Sequence, residues 1–146
     1  MGNLSLFVER LKEYMTDCGL NVSTLADEIK CSRATISGLI NEAHVPSTET
    51  FIALVEYFNC SADYLLGLVD YPRITKFKPV KPFCETLRKY LSESGTTEYR
   101  LQKDLKVSSS LTYRWLTGIA IPKVETLIKI KKKYELSIDY LLGRES

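Results

Sequence analysis

The chain has very little histidine: among its 146 residues, His44 is the only one. Its four cysteines, Cys18, Cys31, Cys60 and Cys84, are dispersed with no C-x-x-C pair. Zinc sites draw on clustered Cys and His, so no metal is expected, and the cysteines read as free thiols. Cys31 and Cys60 align with apolar residues of the repeat described below and are expected to be buried. The chain has no glycine-rich phosphate loop, no nucleophile motif and no carboxylates clustered beside the histidine. These gaps argue against an enzyme and against a cofactor. No apolar run approaches the ~18 residues of a membrane span. Met1 to Leu6 lacks the basic start and long apolar stretch of a signal peptide. A cytoplasmic location is therefore the expectation. No strand-like alternation of useful length occurs, so the predicted class is all-α.

What the chain does have is charge, unevenly placed. Met1 to Asp70 holds four Lys and Arg against ten Asp and Glu, net −6. Tyr71 to Ser146 holds sixteen against eight, net +8. Such asymmetry hints at an acidic module joined to one that meets a polyanion.

An internal repeat organises the sequence. A shift of 76 positions aligns Phe7 with Phe83 and runs without a gap to Gly67 with Gly143. Leu11 falls on Leu87, Tyr14 on Tyr90, Ser32 on Ser108 and Pro46 on Pro122. Both copies end alike, in Ser61-Ala62-Asp63-Tyr64-Leu65-Leu66-Gly67 and Ser137-Ile138-Asp139-Tyr140-Leu141-Leu142-Gly143. Two small domains are predicted, an acidic one over 1–68 and a basic one over 82–146. Between them 69–81 carries Pro72, Pro79 and the cations Arg73, Lys76, Lys78 and Lys81. It reads as a partly extended, solvated linker. Domains of this size bury a modest core, so pairing of the copies or a homodimer would add stability.

Each copy reads as five short helices. Leu4, Phe7, Val8, Leu11 and Met15 recur at one helix face, and Gly19 suits the helix end. Asn21 and Ser32 are N-cap residues for the next two helices. A fourth helix is expected from Thr48 to Phe58, with Phe51, Ile52, Leu54 and Val55 inward, and Ser61 caps a last turn. In the second copy Phe83, Leu87, Tyr90 and Leu91 form the first face. Thr97 and Ser108 cap helices two and three, and Leu127, Ile128 and Ile130 line helix four.

Two short helices joined by a tight turn, the second with a polar outer face, form a unit that can read DNA. On helix three of copy one, Ile36, Leu39 and Ile40 define the inner side. At 100° per residue Ala34, Ser37, Gly38 and Asn41 then face outward, with Arg33 at the tip. In copy two the outward residues are Ser110, Tyr113, Arg114 and Thr117, with Ser109 at the tip. Trp115 takes the inner place of Leu39 and reads as core. Arg114 is the foremost candidate, because an outward Arg can bind guanine O6 and N7 together. Lys129, Lys131, Lys132 and Lys133 read as a solvated face that adds to the positive field. His44 falls in the loop before Pro46.

The stretch Ser23-Thr24-Leu25-Ala26-Asp27-Glu28-Ile29-Lys30-Cys31-Ser32-Arg33-Ala34-Thr35-Ile36-Ser37 resembles helix two, turn and recognition helix of the Cro/lambda-repressor (XRE-type) family. Val107 to Gly118 resembles it equally, as do Val45-Pro46 and the Ser-x-Asp-Tyr-Leu-Leu-Gly endings. The resemblance covers both copies and leaves out the linker. It implies two tandem five-helix DNA-binding domains of bacterial or phage type. The family's phosphate-binding Gln at the start of helix two is replaced by Val22 and Glu98. Its turn Gly is replaced by Lys30 and Lys106, and copy one has Asn41-Glu42 where copy two keeps Gly118.

The function expected from this is sequence-specific regulation of transcription, most simply repression, on double-stranded DNA. No membrane or small-molecule partner is expected. A linker of about 13 residues reaches ~43–47 Å at most, enough for half-sites ~34 Å apart. The alternative is a protein-interaction module of antitoxin or anti-repressor type, suggested by the acidic first copy.

Overall fold

The computed structural model describes residues 4–72 and 76–145. Arg73 of the expected linker lies outside the described residues, as does the side chain of Leu4. The chain divides into two compact units, Met1–Phe77 and Lys78–Ser146. Every regular element among the described residues is a helix.

Unit 1 begins with α1 (Leu4–Asp17), whose apolar stripe puts Phe7, Val8, Leu11 and Met15 in the core. Gly19 follows at φ +67, a left-handed conformation that glycine adopts without steric cost. Asn21 starts α2 (Val22–Ile29) by accepting from the Thr24 amide, while the Thr24 hydroxyl accepts from the Asn21 amide. That reciprocal pair satisfies two helix-end donors. Ser32 caps α3 (Arg33–Ile40), Ser47 caps α4 (Thr48–Phe58) and Ser61 caps α5 (Ala62–Leu65), each side chain accepting from the amide three residues on. Each such cap contributes about 1 kcal/mol.

Unit 2 repeats the order with α6 (Phe83–Ser94), α7 (Glu98–Leu105), α8 (Ser109–Leu116), α9 (Val124–Tyr134) and α10 (Ile138–Leu141). Thr97, Ser108 and Ser137 are the caps of α7, α8 and α10. The amides of Lys78 and Lys81 donate to the carbonyls of Arg144 and Leu142, so the approach to α6 lies along the unit's C-terminal end.

Packing follows one scheme in both units. The first helix packs on the third and the fifth, and the second on the third and the fourth. Tyr14 stacks on Phe58 at 5.4 Å between ring centres, and their counterparts Tyr90 and Tyr134 meet at 5.5 Å. Leu25, Ile36, Leu39, Phe51 and Leu54 fill the first core, and Leu101, Trp115, Leu127 and Leu141 the second. Ile40, Ile52, Tyr90 and Leu91, expected inward, are only half-buried because they sit at the edges of their stripes. Cys60 is buried as expected, whereas Cys31 is only half-buried, standing in the turn between α2 and α3. Burial there still pushes its thiol pKa up, which favours the protonated form.

Candidate nucleic-acid interface

The angle between α2 and α3 is set by a three-residue turn, Lys30 to Ser32. Lys30 has φ 58 and ψ 48, and its amide and that of Cys31 return to the carbonyls of Asp27 and Ala26. Ser32 then redirects the chain by capping α3, its Oγ 3.1 Å from the Thr35 amide. Unit 2 reproduces this atom for atom. Lys106 has φ 55, Val107 donates to Gln102, and Ser108 accepts from the Leu111 amide at 3.1 Å. A lysine in this left-handed conformation costs about 1 kcal/mol relative to glycine, yet both copies have one.

In unit 2 the two sides of α8 are chemically distinct. Thr112 and Trp115 are buried, and the Thr112 hydroxyl is spent on the Ser109 carbonyl at 3.0 Å. Ser109, Ser110, Tyr113, Arg114 and Thr117 are all exposed. Tyr113 shows 57% of its surface, a large aromatic held off the core. The Thr117 hydroxyl donates to the Tyr113 carbonyl at 2.8 Å, which keeps it on the helix. Arg100, Lys103 and Lys106 stand exposed on α7 and the turn. Arg100 Nε meets Asp104 Oδ1 at 3.2 Å. Tyr134 donates to the other oxygen of Asp104 at 2.9 Å. Burial, followed by that carboxylate, raises the Tyr134 pKa, so the phenol stays protonated and ties α9 to α7.

Unit 1 builds the same frame with different chemistry. Arg33, Ala34 and Asn41 are exposed, while Ser37 is half-buried and accepts weakly from Asn41 Nδ2 at 3.4 Å. The positions of Arg100 and Lys103 hold Thr24 and Asp27, and that of Arg114 holds Gly38. The outward side of Gly38 is covered by the ring of His44. Glu42 follows α3 at φ 57 where unit 2 has Gly118 at φ 80, and its carboxylate accepts from Ser5 Oγ at 2.7 Å.

Among the described residues no group of three His, Cys, Asp or Glu is placed to hold a metal ion. No helix among them is long and apolar enough to cross a membrane.

Residues 11–65 match the family model described as helix-turn-helix. The matched segment runs from within α1 to the end of α5, so it spans the turn and the α3 face just described. Unit 1 is thus similar, over this segment, to helix-turn-helix domains, in an all-α frame. The model matches the first copy alone. No curated protein and no solved structure matches the chain significantly.

The arginines Arg10 and Arg144 and the seating of His44 were missed by sequence reasoning. A charged residue on an amphipathic stripe reads as solvated, and a loop histidine gives no periodic signal. Aligning the copies could have flagged His44, since Gly38 and Arg114 differ so sharply.

Proposed function

We propose that the chain is a sequence-specific DNA-binding transcriptional regulator, acting as a repressor, in which each helix-turn-helix unit lays its third helix in the major groove. The exposed row Ser109, Ser110, Tyr113, Arg114 and Thr117 on α8, opposite the buried Trp115, carries this reading. An α-helix fits the major groove, and an arginine there takes two hydrogen bonds from guanine. In unit 1 the readers are Arg33, Ala34, Ser37 and Asn41. The two copies act as a covalent pseudo-dimer, or as a reader joined to an assembly module. No catalysis is assigned.

Charge favours unit 2 as the dominant reader. Phosphates repel the net −6 of Met1 to Asp70 and attract the net +8 of the remainder. Arg114→Ala is expected to weaken binding to a selected duplex by about tenfold or more, as loss of a bidentate guanine contact does. Arg33→Ala is expected to cost less. Fluorescence anisotropy at fixed salt measures both, and equal losses or the reverse order would reject this asymmetry.

The acidic first copy also favours a second reading, a protein-interaction module of antitoxin or anti-repressor type. Glu42 and the acidic surface would then face a basic protein partner. Tight operator binding with no protein partner recovered on the intact chain would remove it.

A further inference from the structure

His44 and Gly38 stand together as a pair that unit 2 inverts. A Cβ built on Gly38 would lie 2.3 Å from His44 Nε2 and 2.8 Å from Cδ2. The imidazole therefore fills the space into which a side chain at position 38 would grow. The equivalent pair in unit 2 is Arg114 and Ala120. One copy has a long polar side chain on the helix and a small one in the loop; the other has glycine on the helix and the polar ring in the loop.

Glycine inside a helix is less favourable than alanine. Here the space it leaves is taken by the ring. His44 is exposed, so the ring lies on the surface of α3. Its Nδ1 is 3.4 Å from the Val45 carbonyl, a weak contact.

We infer that His44, seated on Gly38, is a further base-reading side chain of unit 1, at the place where Arg114 stands in unit 2. The inference rests on the DNA-reading function proposed above. An imidazole on the surface of α3 offers hydrogen-bonding groups of different shape and number from the guanidinium of Arg114, which suits guanine. The two units would then read different bases at equivalent positions, and the site on DNA would be an imperfect repeat.

The test is selection of the intact wild-type chain, His44→Ala and Gly38→Ala on randomised duplexes, with affinities measured on the wild-type winner. Wild type is expected to enrich a two-part motif. His44→Ala should lose the preference at one position of one part and bind the winner about tenfold more weakly, with an unchanged unfolding temperature. Gly38→Ala, which must push the ring aside, should alter the same position. An unchanged motif and affinity in His44→Ala would overturn the inference and leave the DNA-reading function standing. A uniform loss with preferences kept would mark a phosphate contact and overturn it equally. No enrichment by wild type would overturn the DNA-reading function, and the inference with it.

Discussion

Arg144 Nη1 lies 2.5 Å from Asp139 Oδ1, and the two side chains are 2% and 3% exposed. The buried pair joins the residue after the Gly143 turn to the short α10 and pins the end of unit 2. Unit 1 fixes its equivalent helix with an arginine from another direction. Arg10 on α1 donates to the carbonyls of Tyr64 and Val69 at 2.5 and 2.8 Å, and its guanidinium lies 3.9 Å over the Tyr64 ring. The repeat places Thr86 opposite Arg10, and Leu68 opposite Arg144. The role has therefore moved along the chain while the frame stayed the same.

Arg144→Ala leaves a buried carboxylate without its cation and is expected to destabilise unit 2 by about 3–5 kcal/mol. Trp115 is the only tryptophan and lies in the core of that unit, so its fluorescence during denaturant unfolding follows the right transition. A loss below about 1 kcal/mol would show that the pair does not hold the end of the fold.

Trp115 and Tyr113 are two residues apart on α8 but have opposite jobs. Trp115→Ala should cost about 3–5 kcal/mol of stability, because it empties a buried site. Tyr113→Ala, at an exposed position, should stay within about 0.5 kcal/mol of wild type while weakening DNA binding. Circular dichroism melts paired with anisotropy separate the two effects. A Tyr113 variant that melts early, or binds as wild type does, would contradict the division of the helix into core and reading sides.

Glu42→Gly should strengthen DNA binding by unit 1 and stabilise it slightly. The residue has φ 57, which glycine tolerates without strain, and if α3 reads DNA as proposed its carboxylate lies near the path of the phosphates. Loss of the exposed bond from Ser5 offsets part of the gain. Titrations at two salt concentrations measure the effect. Unchanged or weaker binding would place Glu42 away from the phosphates and favour the protein-partner reading of this copy.

Much of the frame was legible before any coordinates. The 76-residue register foretold paired helices, and Asn21, Ser32, Ser61, Thr97 and Ser108 are all caps, because a short oxygen before an apolar stripe has one good use at a helix start. Trp115 was placed in the core by angle alone. The left-handed lysines could be expected because the turn needs that conformation whichever residue occupies it. Arg10 and Arg144 were not legible, since their burial depends on carbonyls and a carboxylate brought in by tertiary packing. For His44 the mismatch of Gly38 with Arg114 was the one signal: where a loop ring settles depends on the loop's path, which local pattern does not encode.

Reading of DNA sequence by this repeated fold is what the proposed function requires. Binding of the intact wild-type chain to a randomised duplex library at moderate salt, followed by sequencing of the bound pool, tests it most directly. The expected result is an enriched two-part motif with fixed spacing, one part for each third helix. Strongly salt-sensitive binding with no enriched sequence would contradict it.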